Sequence, residues 1–173
     1  MTMLTKVLGS LIFLLVMVAC EEEADIATIS SEVVALDADF IVFGGEQYIT
    51  QGGKTEAHVQ YDTAFQWMDS TAVALRQLRL TVFHEDGSER AHVTSRSGTL
   101  DQLTNQMVAR GNVVMVVPGD GITLRTEELH YDPQAGQIWS DTVWTMQRPD
   151  RMLSGTSFTS DLEFRNFQAR GQR

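Results

Sequence analysis

GNVVMVVPGDGITLRTEELHYDPQAGQIWSDTVWTM, residues 111–146, is a run of apolar or alternating segments cut by two turn signals. The first cut is Pro118-Gly119-Asp120-Gly121 and the second is Asp132-Pro133-Gln134-Ala135-Gly136. Proline presets φ and glycine accepts positive φ without steric cost, so each cluster can reverse the chain. Between the cuts, Leu124-Arg125-Thr126 and Leu129-His130-Tyr131 alternate apolar with polar, the period of a half-buried strand. The unit recurs in degenerate form. Leu100-Asp101 stands about 29 residues before Leu129, Phe158 about 29 after it, and Gly111-Asn112-Val113 is answered about 30 residues on by Asp141-Thr142-Val143. A fixed period of this size predicts stacked supersecondary units, here strand pairs of an all-β stack.

Outward from that stretch the same grammar holds. Phe40-Ile41-Val42-Phe43 is closed by Gly44-Gly45, and Tyr48-Ile49-Thr50 by Gly52-Gly53. Ala57, Val59 and Tyr61 alternate with His58, Gln60 and Asp62. Gln77 to Phe83 sets Leu78, Leu80 and Val82 on one face against Gln77, Arg79 and Thr81 on the other. Asp86-Gly87 is a hairpin signal, after which Ala91, Val93 and Ser95 alternate with His92, Thr94 and Arg96. Met107 to Val117 carries Val and Met on both faces, the pattern of a strand buried on both sides. Ala72-Val73-Ala74-Leu75 reads as strand or loop rather than a helical turn. Leu162 and Phe164 alternate with Glu163 and Arg165, which predicts a last strand over Asp161–Phe167 followed by a short basic tail. With only three prolines and short turns throughout, the fold class is all-β.

The chain has 173 residues, enough for one domain with a real core, and 43% of them are hydrophobic, too many for intrinsic disorder. Its net charge of −10 gives no counterion release on DNA or RNA, so no nucleic-acid partner is expected. Residues 1–19 hold a single charged side chain, Lys6, ahead of the apolar run Val7–Ala19. That run is short of the roughly 20 residues needed to span a bilayer and reads as a secretory signal. It ends Met17-Val18-Ala19-Cys20, which resembles a bacterial lipobox with Met17 in place of the usual leucine. Cys20 is the only cysteine, so no internal disulfide can form; the expectation is a lipidated, membrane-anchoring residue. Several acyl chains on one residue anchor stably where a single chain is marginal. Glu21-Glu22-Glu23-Ala24-Asp25 opens a solvated tether, so the expected organisation is a signal peptide over 1–19, an acylated Cys and acidic tether over 20–32, and a β-domain over 33–173.

Catalytic motifs are weak. Gly52-Gly53-Lys54-Thr55 imitates the tail of a phosphate-binding loop, but the leading glycine position is Tyr48 and the next residues alternate as a strand. A glycine hairpin is the better reading. His58, His84, His92 and His130 lack metal-ligand spacing, so no metal and no cofactor is expected. A G-x-S-x-G elbow is absent. Asp132, Asp141 and Asp161 fall at strand ends or turns, where aspartate accepts backbone hydrogen bonds. The protein is therefore not expected to be an enzyme.

The ordered set Gly111, Val113, Thr126, Leu129, Tyr131, Asp132, Ile138, Ser140, Asp141, Val143, Gly155 and Asp161 resembles the periplasmic LptC family of lipopolysaccharide export, and more broadly the LptA/OstA-type jelly-roll repeat, over roughly residues 33–171. The resemblance implies an open, elongated jelly-roll-like sandwich of two antiparallel sheets. It also implies a relay at the periplasmic face of the inner membrane: lipopolysaccharide arrives from an ATP-driven ABC transporter of the Lpt system and passes to an LptA-like bridge protein. Phe65, Trp67, Leu78, Leu80, Val113, Met115, Leu124, Leu129, Tyr131, Ile138, Trp139, Val143, Trp144, Leu162 and Phe164 include the core. By the resemblance, several of the large apolar residues face acyl chains in a groove. The groove candidates are Leu78, Leu80, Val82, Val113, Met115, Leu124, Leu129, Tyr131, Ile138 and Val143. Leu162, Glu163, Phe164, Arg165 and Phe167 are candidates for an edge strand that pairs with the bridge. Two rival readings are a carbohydrate-active lipoprotein enzyme on a β-sandwich, which needs an acidic pair in an open cleft, and an LptA-like bridge protein, against which the lipobox speaks.

Overall fold

The computed structural model describes residues 38–171. The signal peptide, Cys20 and the acidic tether lie outside the described residues, as does the start of the β-domain. Strands β1 (Phe40–Gln51), β2 (Lys54–Gln66), β3 (Ala72–Phe83), β4 (Glu89–Asp101), β5 (Met107–Val117) and β6 (Ile122–Asp132) form an antiparallel meander. The shorter β7 (Gln137–Ser140), β8 (Trp144–Gln147), β9 (Met152–Gly155), β10 (Ser157–Asp161) and β11 (Gln168–Arg170) complete a single 11-stranded sheet. The protein is all-β and jelly-roll-like, as its periodicity requires, and the layers of the sandwich are parts of one continuous sheet.

Both turn signals of the central stretch are used. Pro118–Asp120 makes a 3-10 turn closed by Gly121 at φ 61°, and Gly136 closes the β6–β7 turn at φ 60°. The glycine hairpin Gly52-Gly53 joins β1 to β2. Residues 72–75 are the first turn-free part of β3. Strand β5 is buried on one face only: Val113, Met115 and Val117 point inward, whereas Val108, Val114 and Val116 are half-covered on the other side. Its outward valines fit a half-buried pleat, so two-sided burial is not needed to explain them.

What the periodicity does not announce is a line of interruptions across the meander. The ladder pairs Phe43 with Thr63 and Gly45 with Tyr61, Gln60 with Arg79 and Thr63 with Arg76, and Arg76 with Ser97 and Leu78 with Ser95. Between these pairs it skips Gly44, Asp62, Gln77 and Arg96 in turn. The register then shifts between Thr94 and Ser97 on β4 and between Arg110 and Val113 on β5. Gly44, Gln77, Gly111 and Asn112 all have positive φ. The two register shifts are bulges, which bend a strand and sharpen its twist, and with the skipped pairs in line with them they crease the sheet. The inward positions are re-phased at the crease: Leu75 is followed by Leu78 on β3, and Thr126 by Leu129 on β6.

At the crease β6 also changes neighbours. Thr123–Thr126 pairs with β8, whereas His130–Asp132 pairs with β7. The fork is held by hydroxyls: Thr126 Oγ1 lies 3.0 Å from Ser140 Oγ and 2.8 Å from Thr142 Oγ1, and it also donates to the Val143 carbonyl at 3.2 Å. Buried hydroxyls need partners, so these three supply one another. Thr126 and Ser140, part of the ordered set read in the sequence, thus have a structural task where one strand hands over to two.

Candidate functional site

The crease brings apolar residues from both of its sides around one interior cleft. Leu78, Leu80, Val82, Val93 and Met115 contribute from one side, and Met107, Ala109, Leu129, Tyr131 and Ile138 from the other. Leu162 completes the lining. The lining carries no charged side chain. The free volume is about 20 Å³, room for roughly one water molecule. In this state the cleft is therefore a closed seam.

Of the groove candidates, Leu78, Leu80, Val82, Met115, Leu129, Tyr131 and Ile138 line the cleft. Val113 and Leu124 are buried in the core beside it, each about 1% exposed. Val143 is a correction: it is 70% exposed. Successive side chains point to opposite faces of an extended segment, and Trp144 takes the inward place at 1% exposure. Both residues cannot face in, and the larger ring wins.

Where the cleft nears the surface it meets a second, polar-rimmed cavity of about 470 Å³, walled by Lys54, Glu56, His84, Glu85, Arg90 and Pro133 among others. Val82, Tyr131 and Leu162 belong to both spaces. Burial, and next the Glu56 carboxylate, push the Tyr131 phenol up to about 12, so it stays protonated. Arg90, in the wall of this cavity, has its Nη2 2.8 Å from Glu163 Oε1, and its Nε donates to His84 Nδ1 at 3.3 Å.

The C-terminal assignment also needs correcting. Leu162, Glu163, Phe164, Arg165 and Phe167 do not form a strand. β10 ends at Asp161, residues 162–167 turn, and the edge strand is β11, within what the sequence presents as a polar basic tail. The cause is Asp161. Its Oδ1 accepts from the Arg165 backbone N–H at 2.8 Å, its Oδ2 accepts from Asn166 Nδ2 at 2.8 Å, and its carbonyl accepts from the Phe164 N–H at 3.2 Å. These bonds fold the chain back and set Phe164 at φ 54°. Phe164 is then buried, and Phe167 stacks on Phe158 at 5.5 Å and meets Trp144 edge-on at 5.3 Å. Leu162 packs against the same core. Those apolar residues plug the end of the sandwich, and β11, paired on one side to β10 alone, offers the open edge.

The opposite edge of the sheet is β1, which pairs only with β2. It exposes Phe40, Val42, Phe43 and Tyr48. Nothing in its alternation singles it out as an edge; only the topology does.

Several polar side chains serve the fold. Asp132 Oδ1 accepts from the backbone N–H groups of Gln134 and Ala135 at 2.9 and 3.0 Å. Asp101 accepts from Leu103, Thr104 and Thr71, clipping two turns together, and these bonds hold its carboxyl below the usual range. Glu128 is lowered too, chiefly by its bond to His130 at 2.7 Å and then by Arg110 at 2.7 Å. His58 bonds Glu46 at 2.9 Å and stacks on Tyr48. Among the described residues no helix is long and apolar enough to cross a membrane.

A search of characterised proteins returned no significant match. A family model described as lipopolysaccharide-assembly, LptC-related, matches residues 10–168. A match over nearly the whole length, with the creased all-β sheet and its apolar seam, places this chain in the LptC-related lipopolysaccharide-assembly family, a periplasm-facing component of lipopolysaccharide transport.

Proposed function

We propose that this protein is a lipid-anchored relay. It takes lipopolysaccharide from an inner-membrane ATP-driven transporter and passes it to a periplasmic bridge protein through the cleft at the crease. The observation that carries the reading is the cleft itself, an interior seam lined wholly by apolar side chains from both sides of the crease, in a chain of this family. Each methylene hidden from water is worth about 0.8 kcal/mol, so a multi-chain lipid needs a continuous apolar cover. Met107 and Met115 suit such a path, because unbranched thioethers adapt to chains of no fixed geometry. The seam opens for cargo when the two sides of the crease part, and it needs no catalytic group.

A relay needs two docking surfaces, and the sheet has two free ends. An exposed edge pairs readily with a strand from another chain. In this reading β1, with its exposed apolar side chains, meets the transporter, and β11 meets the first strand of the bridge. Cys20 carries the anchor, and residues 20–32 let the β-domain stand off the membrane.

Gentle extraction from cells making the wild-type chain or Cys20→Ser tests this. The wild-type chain should sediment with membranes and co-purify with lipopolysaccharide and transporter subunits. Cys20→Ser should be unprocessed or released into the soluble fraction. A Cys20→Ser chain that stays with the membrane at mature length would mean that something else anchors it, and a wild-type extract free of lipopolysaccharide would count against the relay.

A further inference from the structure

The interior cleft and the end cavity meet at Val82, Tyr131 and Leu162. Val82 and Tyr131 are fixed in the ladder, paired to Ala57 and Ile138. Leu162 has no ladder partner; it leads the turn after β10, half-buried. Its neighbour Glu163 is tied to Arg90, on the start of β4 and in the wall of the end cavity, by the 2.8 Å ion pair, so the tie anchors the turn that holds Leu162 against the cleft. Both partners are substantially covered, with side-chain exposures of 20% and 31%. The base of the turn is held separately, by Phe164 and Phe167 in the aromatic cluster and by Asp161. Leu162 and Glu163 can therefore swing while the turn stays docked.

We propose that the end cavity is the port of the cleft, that it takes amphiphiles with an acyl chain beside an anionic head, and that Leu162 is its stopper, latched by Arg90 and Glu163. The entering chain displaces Leu162 and the head's phosphate or carboxylate replaces Glu163 on Arg90. A guanidinium binds either oxyanion with paired hydrogen bonds. Lys54, 3.3 Å from Glu85 on the exposed rim, adds a second cation. The proposal rests on the cleft being the lipid path.

The test uses the full chain, with Glu163→Gln and Arg90→Gln, and two fluorescent probes: neutral phenylnaphthylamine and anionic parinaric acid. Either substitution breaks the latch. Both should bind the neutral probe about two- to fivefold more tightly than the wild-type chain, the range of a partly exposed ion pair. With parinaric acid, Glu163→Gln should gain at least as much, whereas Arg90→Gln should gain less than it does with the neutral probe. No gain with the neutral probe in either variant overturns the stopper. Equal gains with the anionic probe overturn Arg90 as the partner of the head. Lipopolysaccharide bound equally by all three chains would overturn the port while leaving the relay intact. Gated probes without any lipopolysaccharide binding would leave the port standing and remove the relay.

Discussion

Trp144→Ala is expected to lower folding stability by about 3–5 kcal/mol, the range for a buried aromatic cut to alanine. Trp144 is 1% exposed and stands edge-on to Phe158 at 5.7 Å and to Phe167 at 5.3 Å. Gly155 lies against the ring so closely that a Cβ there would come within 2.8 Å of it and within 2.6 Å of the Arg170 carbonyl. The void cannot be refilled by β9 or β11 without pulling both off their ladders. Its Nε1 has no hydrogen-bond partner, so Trp144→Phe loses only volume and should cost less than half as much. Trp139→Ala is the control. That ring is half-buried, stacked on His130 at 4.8 Å, and its removal leaves no closed void. Urea unfolding at unchanged slope measures all three. Similar midpoints for Trp144→Ala and Trp139→Ala would show that the aromatic cluster does not hold the end of the sandwich.

Two truncations separate the plug from the edge, and they should behave very differently. Stopping the chain after Phe167 removes β11 and keeps Leu162, Phe164 and Phe167 in place. The shortened protein should stay folded, keep the transporter and lose the bridge. Stopping after Ser160 removes the Asp161 cap together with Phe164 and Phe167. Exposing the face of Phe158 and Trp144 that they cover should cost several kcal/mol, comparable to deleting buried aromatics singly. That chain should unfold or aggregate. Pull-down against transporter and bridge, alongside a thermal melt, reads both. A Phe167 truncation that still captures the bridge would remove β11 as the assembly edge. A folded Ser160 truncation would mean the plug is dispensable.

The strands were legible because period-2 alternation is a local property: Leu78, Leu80 and Val82 announce their shared face without reference to any other strand. The crease was not. A break in a ladder, whether a skipped pair or a two-against-one bulge, is a relation between strands, and neither Gln77 nor Arg96 looks unusual in its own segment. Gly44 and Gly111-Asn112 were the local hints, since these residues tolerate positive φ. The seam was legible as a set of apolar residues but not as a place, because its two walls come from opposite sides of that crease. Val143 faces out because alternation, which gives Trp144 the inward place, outweighs its hydrophobicity. The C-terminal turn misled in the other direction. Leu162, Glu163, Phe164 and Arg165 alternate cleanly, yet Asp161 satisfies the backbone of its own turn, and aspartate side chains compete with ladders in just this way. The spacing of Asp161 to Asn166 carried that information, and the apolar alternation outweighed it. The anchor at Cys20 and the tether lie outside the described residues and stand as proposals, carried by an apolar run that ends in a single cysteine.

The central claim is that lipopolysaccharide runs through the seam, and site-specific photo-crosslinking in cells tests it most directly. Probes at Leu80, Met115 and Leu129 face the cleft, whereas Arg79 is exposed on the outer face and His130 lies outside against Trp139. One-residue spacing between Arg79 and Leu80, and between Leu129 and His130, makes each pair its own control for backbone position. Lipopolysaccharide adducts should form from the three inward sites and only while the transporter hydrolyses ATP. Equal labelling from Arg79 and His130, or adducts from the outer sites alone, would contradict a path through the crease.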